Sequence, residues 1–142
     1  MKALALDANI LIRAVLGVHV RDLLFAYADT VRFCAPDVAW ADAHRHLLTL
    51  LPKRGSDLAK GLARLEQLQA IVEFVEARFY ETAKADALPR IERRDPDDWP
   101  VLACALLLDC PVWTQDVDFF GTGVATWTSD RVEFYLTAAS QG

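Results

Sequence analysis

Residues 1–14 read MKALALDANILIRA. A continuously apolar run ends at Asp7, and apolar character resumes at Ile10. Residues 2–6 predict a short buried strand, because the run is unbroken and stops at a polar turn. Residues 10–17, ILIRAVLG, predict a helix closed by Gly17. Asp7 therefore stands where the first strand stops. A carboxylate there must be solvated, hydrogen-bonded or bound to something. Taken alone it is as readily a turn residue or a helix N-cap as a functional group.

The same rhythm continues along the chain. VRDLLFAYAD reads as a second helical piece, and VRFCAP (31–36) as a second strand. Residues 37–51 carry helical periodicity, with Asp37 as N-cap and Pro52 as the stop. Residues 55–70 predict a helix capped by Ser56, and IVEFV (71–75) a strand. ARFYETAKADALPRI (77–91) returns to helical spacing and leads into the charged turn RRDPDD. WPVLACALLLD follows as a long helix with Pro100 tolerated in its first turn. CPVWTQDVDFF is a strand running into an acidic loop, GVATWT a last strand, and SDRVEFYLTAA (129–139) a closing helix capped by Ser129. Short apolar strands alternating with helices imply a parallel sheet covered on both faces, an α/β fold.

Bulk composition narrows the function. A chain of 142 residues, 54% hydrophobic, is expected to fold as one domain, 1–142, with a proper core. Its formal net charge of −5 excludes a simple electrostatic binder of nucleic acid. An enzyme that meets phosphates through bound metal ions remains compatible. Cysteines 34, 104 and 110 fit no metal-ligand spacing and predict buried free thiols in a reducing compartment. With no signal-peptide pattern and no apolar run of the roughly 20 residues a membrane span needs, the expectation is a cytoplasmic protein without a membrane partner.

In an open parallel α/β sheet, ligands bind beyond the carboxyl ends of the strands. Asp7 follows the first strand, with Asn9 just after it. Asp116 and Asp118 follow PVWT. Asp98 opens the helix before that strand, and Asp42 lies in the helix after the second strand. Carboxylates gathered in one cleft repel one another, and a divalent cation removes that cost. Mg²⁺ and Mn²⁺ prefer oxygen ligands, lower the pKa of a bound water and screen a phosphate. Asp95 and Asp97, in the charged turn, read as solvated or capping. His44 and His46 stand two apart on a helix and give poor zinc geometry. No nucleophile elbow or glycine-rich phosphate loop is present.

LDANILIRA, DVAWADAHRHLL, RDPDDWPVLACALLLDCPVWTQDVDFFG and VATWT together resemble the PIN domain family. These are metal-dependent ribonucleases, familiar as the toxins of VapBC toxin–antitoxin pairs. The resemblance implies a three-layer α/β/α fold around a parallel sheet and hydrolysis of RNA by a metal-activated water. It assigns Asp7, Asp98 and Asp116 to Mg²⁺ or Mn²⁺, with Asp118 a more peripheral acid. Asn9 and Thr114 support the site, and Asp42 takes a catalytic or base role. Asp42 is a departure, because the family most often has glutamate there. Arg13, on the helix after Asp7, is a candidate phosphate contact. An antitoxin protein and a homodimer are the partners implied beside RNA.

Two rival readings differ in class. A phospho-acceptor receiver would need a paired acid after strand one and a late lysine, and no lysine follows Lys84. A PIN-like interaction module with a site decayed at Asp42 would keep the fold and bind no metal.

Overall fold

The structure, a computed structural model, describes residues 1–138. Each of the five strands expected from the sequence emerges: β1 (Lys2–Leu6), β2 (Val31–Pro36), β3 (Val72–Val75), β4 (Val112–Trp113) and β5 (Thr126–Trp127). All neighbouring pairs are parallel, in the order β3-β2-β1-β4-β5. The chain thus builds outward from β1 to one side, then returns to its other side. The point of reversal lies between β1 and β4, which is where an open sheet of this kind leaves a crevice.

Side-chain alternation sorts the core into two layers. Leu4 and Leu6 of β1, Phe33 of β2 and Trp113 of β4 enter one layer. There they meet α1 (Ala8–Leu16), α2 (His19–Tyr27), α3 (Asp37–Lys53), α4 (Leu58–Gln67) and α8 (Val132–Thr137). Ala5, Cys34 and Val112 face the opposite way, against α5 (Ala77–Tyr80), α6 (Lys84–Ile91) and α7 (Trp99–Leu108). The second layer uses small strand residues, which lets α7 lie close over β1 and β2. α7 is buried without interruption from Pro100 to Ala105, so it is apolar all round rather than amphipathic. The three-layer α/β/α arrangement is the one expected, and all three cysteines are free and buried.

Several local expectations are corrected. Pro52 does not stop α3 but sits inside its last turn, where the Arg54 amide still reaches the Leu50 carbonyl at 3.1 Å. So close to the end, a proline forfeits only its own N–H bond. Asp37 is the first residue of α3 rather than its cap; its carboxylate takes the Val38 amide at 2.8 Å and the Tyr80 hydroxyl at 2.5 Å. Asp57, not Ser56, caps α4 by accepting the Lys60 amide at 2.9 Å. The helix expected over 77–91 is broken by a 3₁₀ turn at Glu81–Ala83. Ser129 does not cap α8, because its hydroxyl accepts the Trp113 indole N–H at 3.0 Å. The helix expected to end at Ala139 reaches Thr137, and Ala139 lies outside the described residues.

α7 ends on Asp109 in the left-handed conformation, φ 51°. That backbone favours glycine, and a carboxylate at a helix C-terminus opposes the helix dipole. Asp109→Gly should therefore raise stability by roughly 1 kcal/mol. Urea unfolding checks this: the midpoint rises while the slope is unchanged.

Candidate metal centre

Asp7 leaves β1 at the point of reversal and caps α1. Its Oδ1 accepts the Ile10 amide at 3.1 Å, and its Oδ2 accepts the hydroxyl of Thr114. The alternatives open in the sequence, a cap or a site residue, are not exclusive. Thr114 is fully buried just beyond β4, and its hydroxyl in turn accepts the Asp116 amide at 2.9 Å. One hydroxyl thus ties the end of β1 to the turn after β4. Asp116 then accepts the Asp118 amide at 2.9 Å, which folds that turn back on itself.

From the other side comes the charged turn 92–98. Asp95 accepts the Asp97 amide at 3.1 Å and tightens the short 3₁₀ turn Pro96–Asp98, which sets Asp98 at the start of α7. Carboxylate oxygens of Asp95, Asp98, Asp116 and Asp118 all come within 4.8 Å of one another. Asp98 Oδ2 is buried and has no hydrogen-bond partner. A buried polar atom left unpaired is costly, and four oxygens converging without a proton donor are the ligand chemistry of a hard divalent cation. The residues present therefore fit a Mg²⁺ or Mn²⁺ ion, with Asp95, Asp98, Asp116 and Asp118 as the donors closest together.

Electrostatics says the same. Burial pushes the Asp7 carboxyl up to about 6, with the Asp116 charge adding to the rise and the bonds from Thr114 and Ile10 working against it. Burial, then the charges of Asp95, Asp116 and Asp7, push Asp98 up to about 8. Asp7 is thus electrically part of the group although its oxygens lie outside the tightest set.

Other candidates fall elsewhere. Asp42 is half-exposed on α3 and pairs with Arg45 at 2.9 Å, one turn along the same helix. It is not among the converging oxygens. Asn9 is exposed, and what reaches Asp7 from it is the backbone amide. Arg13 is exposed in the last turn of α1. Trp40 is buried with its indole N–H on the Ala35 carbonyl at 3.2 Å, and Trp99 packs edge-on against Tyr80, so both serve packing. Asp95 is the member that sequence reading missed. Its capping role is real, and the same carboxylate also offers an oxygen to the converging set; the run of acids in RDPDD was the signal.

The PIN domain family matches this chain over residues 5–137. The chain belongs to the PIN domain family. Two solved structures share the fold of this PIN domain. VapBC2 from Rickettsia felis, bound to a DNA fragment from its promoter, aligns over 90% of this chain and 98% of that one, at TM-score 0.66 and 11% identity. FitAcB from Neisseria gonorrhoeae aligns over 89% and 97%, at TM-score 0.57 and 19% identity. At such identities the likeness is one of fold. No curated protein sequence matches the chain.

The raised carboxyls make a prediction for this PIN domain without metal. In the unfolded chain both titrate near 3.8. From there up to about 8 the folded protein holds protons that the unfolded chain has lost, so stability falls as pH rises through that window. In excess chelator the melting temperature should decline from mildly acidic pH and level off above about 8. Asp98→Asn should flatten the decline; an equally steep profile in that variant would contradict the account.

Proposed function

We propose that this PIN domain is a Mg²⁺- or Mn²⁺-dependent ribonuclease, the toxin of a toxin–antitoxin pair that works in the cytoplasm. The observation that carries the reading is the buried, unpartnered Asp98 oxygen among the carboxylates of Asp95, Asp116 and Asp118. Family membership supports nuclease chemistry. The likeness in fold to VapBC2 and FitAcB supports an antitoxin partner, and a homodimer is the assembly we propose.

In this reading Asp98, Asp116 and Asp118 would hold the cation, with Asp95 the fourth converging donor and Asp7 tied to the same turn through Thr114. A divalent ion there supplies positive charge against the phosphate and lowers the pKa of water. The chain's own contribution is placement. Thr114 ties the Asp7 carboxylate to the Asp116 backbone, and the turn at Asp95 keeps Asp98 at the N-terminus of α7. Such supporting bonds orient ligands, and losing one commonly costs 10–100-fold in affinity or activity. Asp42 would join the reaction only by releasing Arg45.

That pairing of Asp42 with Arg45 favours a second reading, an interaction module that has kept the scaffold and lost the chemistry. Two measurements separate them. Under the ribonuclease reading, Mn²⁺ raises the melting temperature of the wild-type protein and not of Asp98→Asn. It also stimulates RNA cleavage that Asp7→Asn, Asp98→Asn or excess chelator abolishes, while Thr114→Val reduces cleavage by about 10–100-fold. Absence of both Mn²⁺ stabilisation and cleavage selects the interaction module. Full activity in chelator would sink the metal assignment.

A further inference from the structure

The chain beyond Asp118 turns back beside the cluster through Gly121 and Gly123, both at positive φ, 86° and 85°. Each glycine leaves room for a guanidinium. A Cβ on Gly121 would lie 2.8 Å from Arg94 Nη2, and one on Gly123 would lie 2.8 Å from Arg90 Nη1. The two arginines stand four apart and grip the same loop, yet they differ in what they have left to give. Arg90 is fully engaged: it holds Asp86 at 3.0 Å and donates Nη1 to the Thr122 carbonyl at 2.9 Å. Arg94 gives one N–H, from Nη1 to the Asp118 carbonyl at 3.1 Å. Among the described residues it forms no ion pair, whereas Arg32, Arg45, Arg78, Arg90 and Arg131 all do.

Arg94 is therefore an exposed cation fixed to the loop that carries Asp118, and it precedes Asp95 in the chain. Both neighbours belong to the acidic cluster. A guanidinium presents five N–H donors in a planar fork suited to phosphate, and here most of them are free. An RNA strand with its scissile phosphate over the cluster must carry the adjoining phosphate across the rim. Without a cation there, the surplus acids would repel it.

We propose that Arg94 binds the RNA backbone phosphate adjoining the scissile one and so holds the strand across the cluster. The proposal rests on the ribonuclease reading. Because the contact is to backbone, it adds affinity without base preference. Arg90, by contrast, only braces the loop.

The test is binding of a labelled single-stranded RNA oligonucleotide to the Asp7→Asn protein, which keeps the four converging carboxylates, in Mg²⁺ and over a salt series. Adding Arg94→Gln should weaken binding roughly tenfold, the scale of one charge-assisted hydrogen bond. It should also reduce the slope of log Kd against log salt by about 0.7, one phosphate contact on a single strand. Arg94→Lys should keep the slope. Arg90→Gln should lower the melting temperature and leave the slope alone. With Asp7 restored, Arg94→Gln should raise KM for RNA cleavage with little change in kcat. Should Arg94→Gln fold poorly, Arg94→Met, which keeps the apolar stem and removes the charge, decides: a slope reduced by about 0.7 supports the proposal, an unchanged one overturns it. A loss of binding that follows melting temperature equally in the Arg90 and Arg94 variants reduces Arg94 to a brace. Cleavage by the wild-type chain with KM unchanged in Arg94→Gln overturns this inference alone. RNA neither bound nor cleaved by the wild-type chain overturns the ribonuclease reading and Arg94 with it.

Discussion

The hydroxyl of Thr114 bridges the Asp7 carboxylate and the Asp116 amide, and the geometry of the acidic site hangs on that bridge. β1 and β4 are neighbours in the sheet but more than a hundred residues apart in sequence. Their backbones pair through only two registered positions, Ala5 with Val112 and Leu6 with Trp113. Such a short ladder sets direction but leaves the turns beyond it free. The buried hydroxyl extends the pairing by one side-chain step. It converts two loose strand ends into a fixed shelf.

Building that shelf has an electrostatic cost that the fold accepts rather than removes. Asp7 is only 7% exposed and has two donors; Asp98 has a buried oxygen with none. Structural carboxylates in a core usually gather arginine or enough N–H groups to stay charged. Here the nearest fixed guanidinium, on Arg94, points its bond at a carbonyl instead. The proteins that keep such a conflict generally do so where something else resolves it, and strongly displaced carboxyls cluster at functional sites for that reason. A cation would relieve Asp7 and Asp98 together, because the charge of Asp116 adds to the rise in both.

The parts of this architecture that were legible in the sequence are those governed by burial. Ala3–Leu6 is a continuous apolar run and VRFCAP is interrupted only by the exposed Arg32, because both sheet faces are covered, and no other local pattern competes with them. Asp7, Asp116 and Asp118 were legible because they follow such runs, and Asp98 because it opens the apolar run of α7. The caps were not, since several polar residues stood near each helix start. Asp57 prevails over Ser56 at α4, and Ser129 is drawn away by the Trp113 indole, a partner sixteen residues distant in the chain. The same limit hid Asp95. A local reading correctly assigns its carboxylate to the turn, but only the tertiary approach of the loop after β4 brings it among the other acids. Asp42 illustrates the converse: its position in the helix was readable, while its engagement with Arg45 depends on rotamers that spacing leaves open.

An acidic chain that acts on a polyanion must confine its positive charge to where contact occurs. As the proposed ribonuclease, this protein, with a net charge of −5, has no broad favourable field to draw its substrate in. The loop at Gly121 and Gly123 suggests how the difficulty is met. Positive φ at both residues lets the backbone turn sharply, but the turn alone explains neither guanidinium. The space a side chain would have filled is given to Arg90 and Arg94, so the same missing Cβ that permits the turn also anchors a cation beside the acids. A bulkier residue at position 121 would displace Arg94 from the rim and leave Asp95 and Asp118 facing an incoming phosphate with no fixed counter-charge. Backbone conformation, loop packing and substrate electrostatics are then consequences of one small residue.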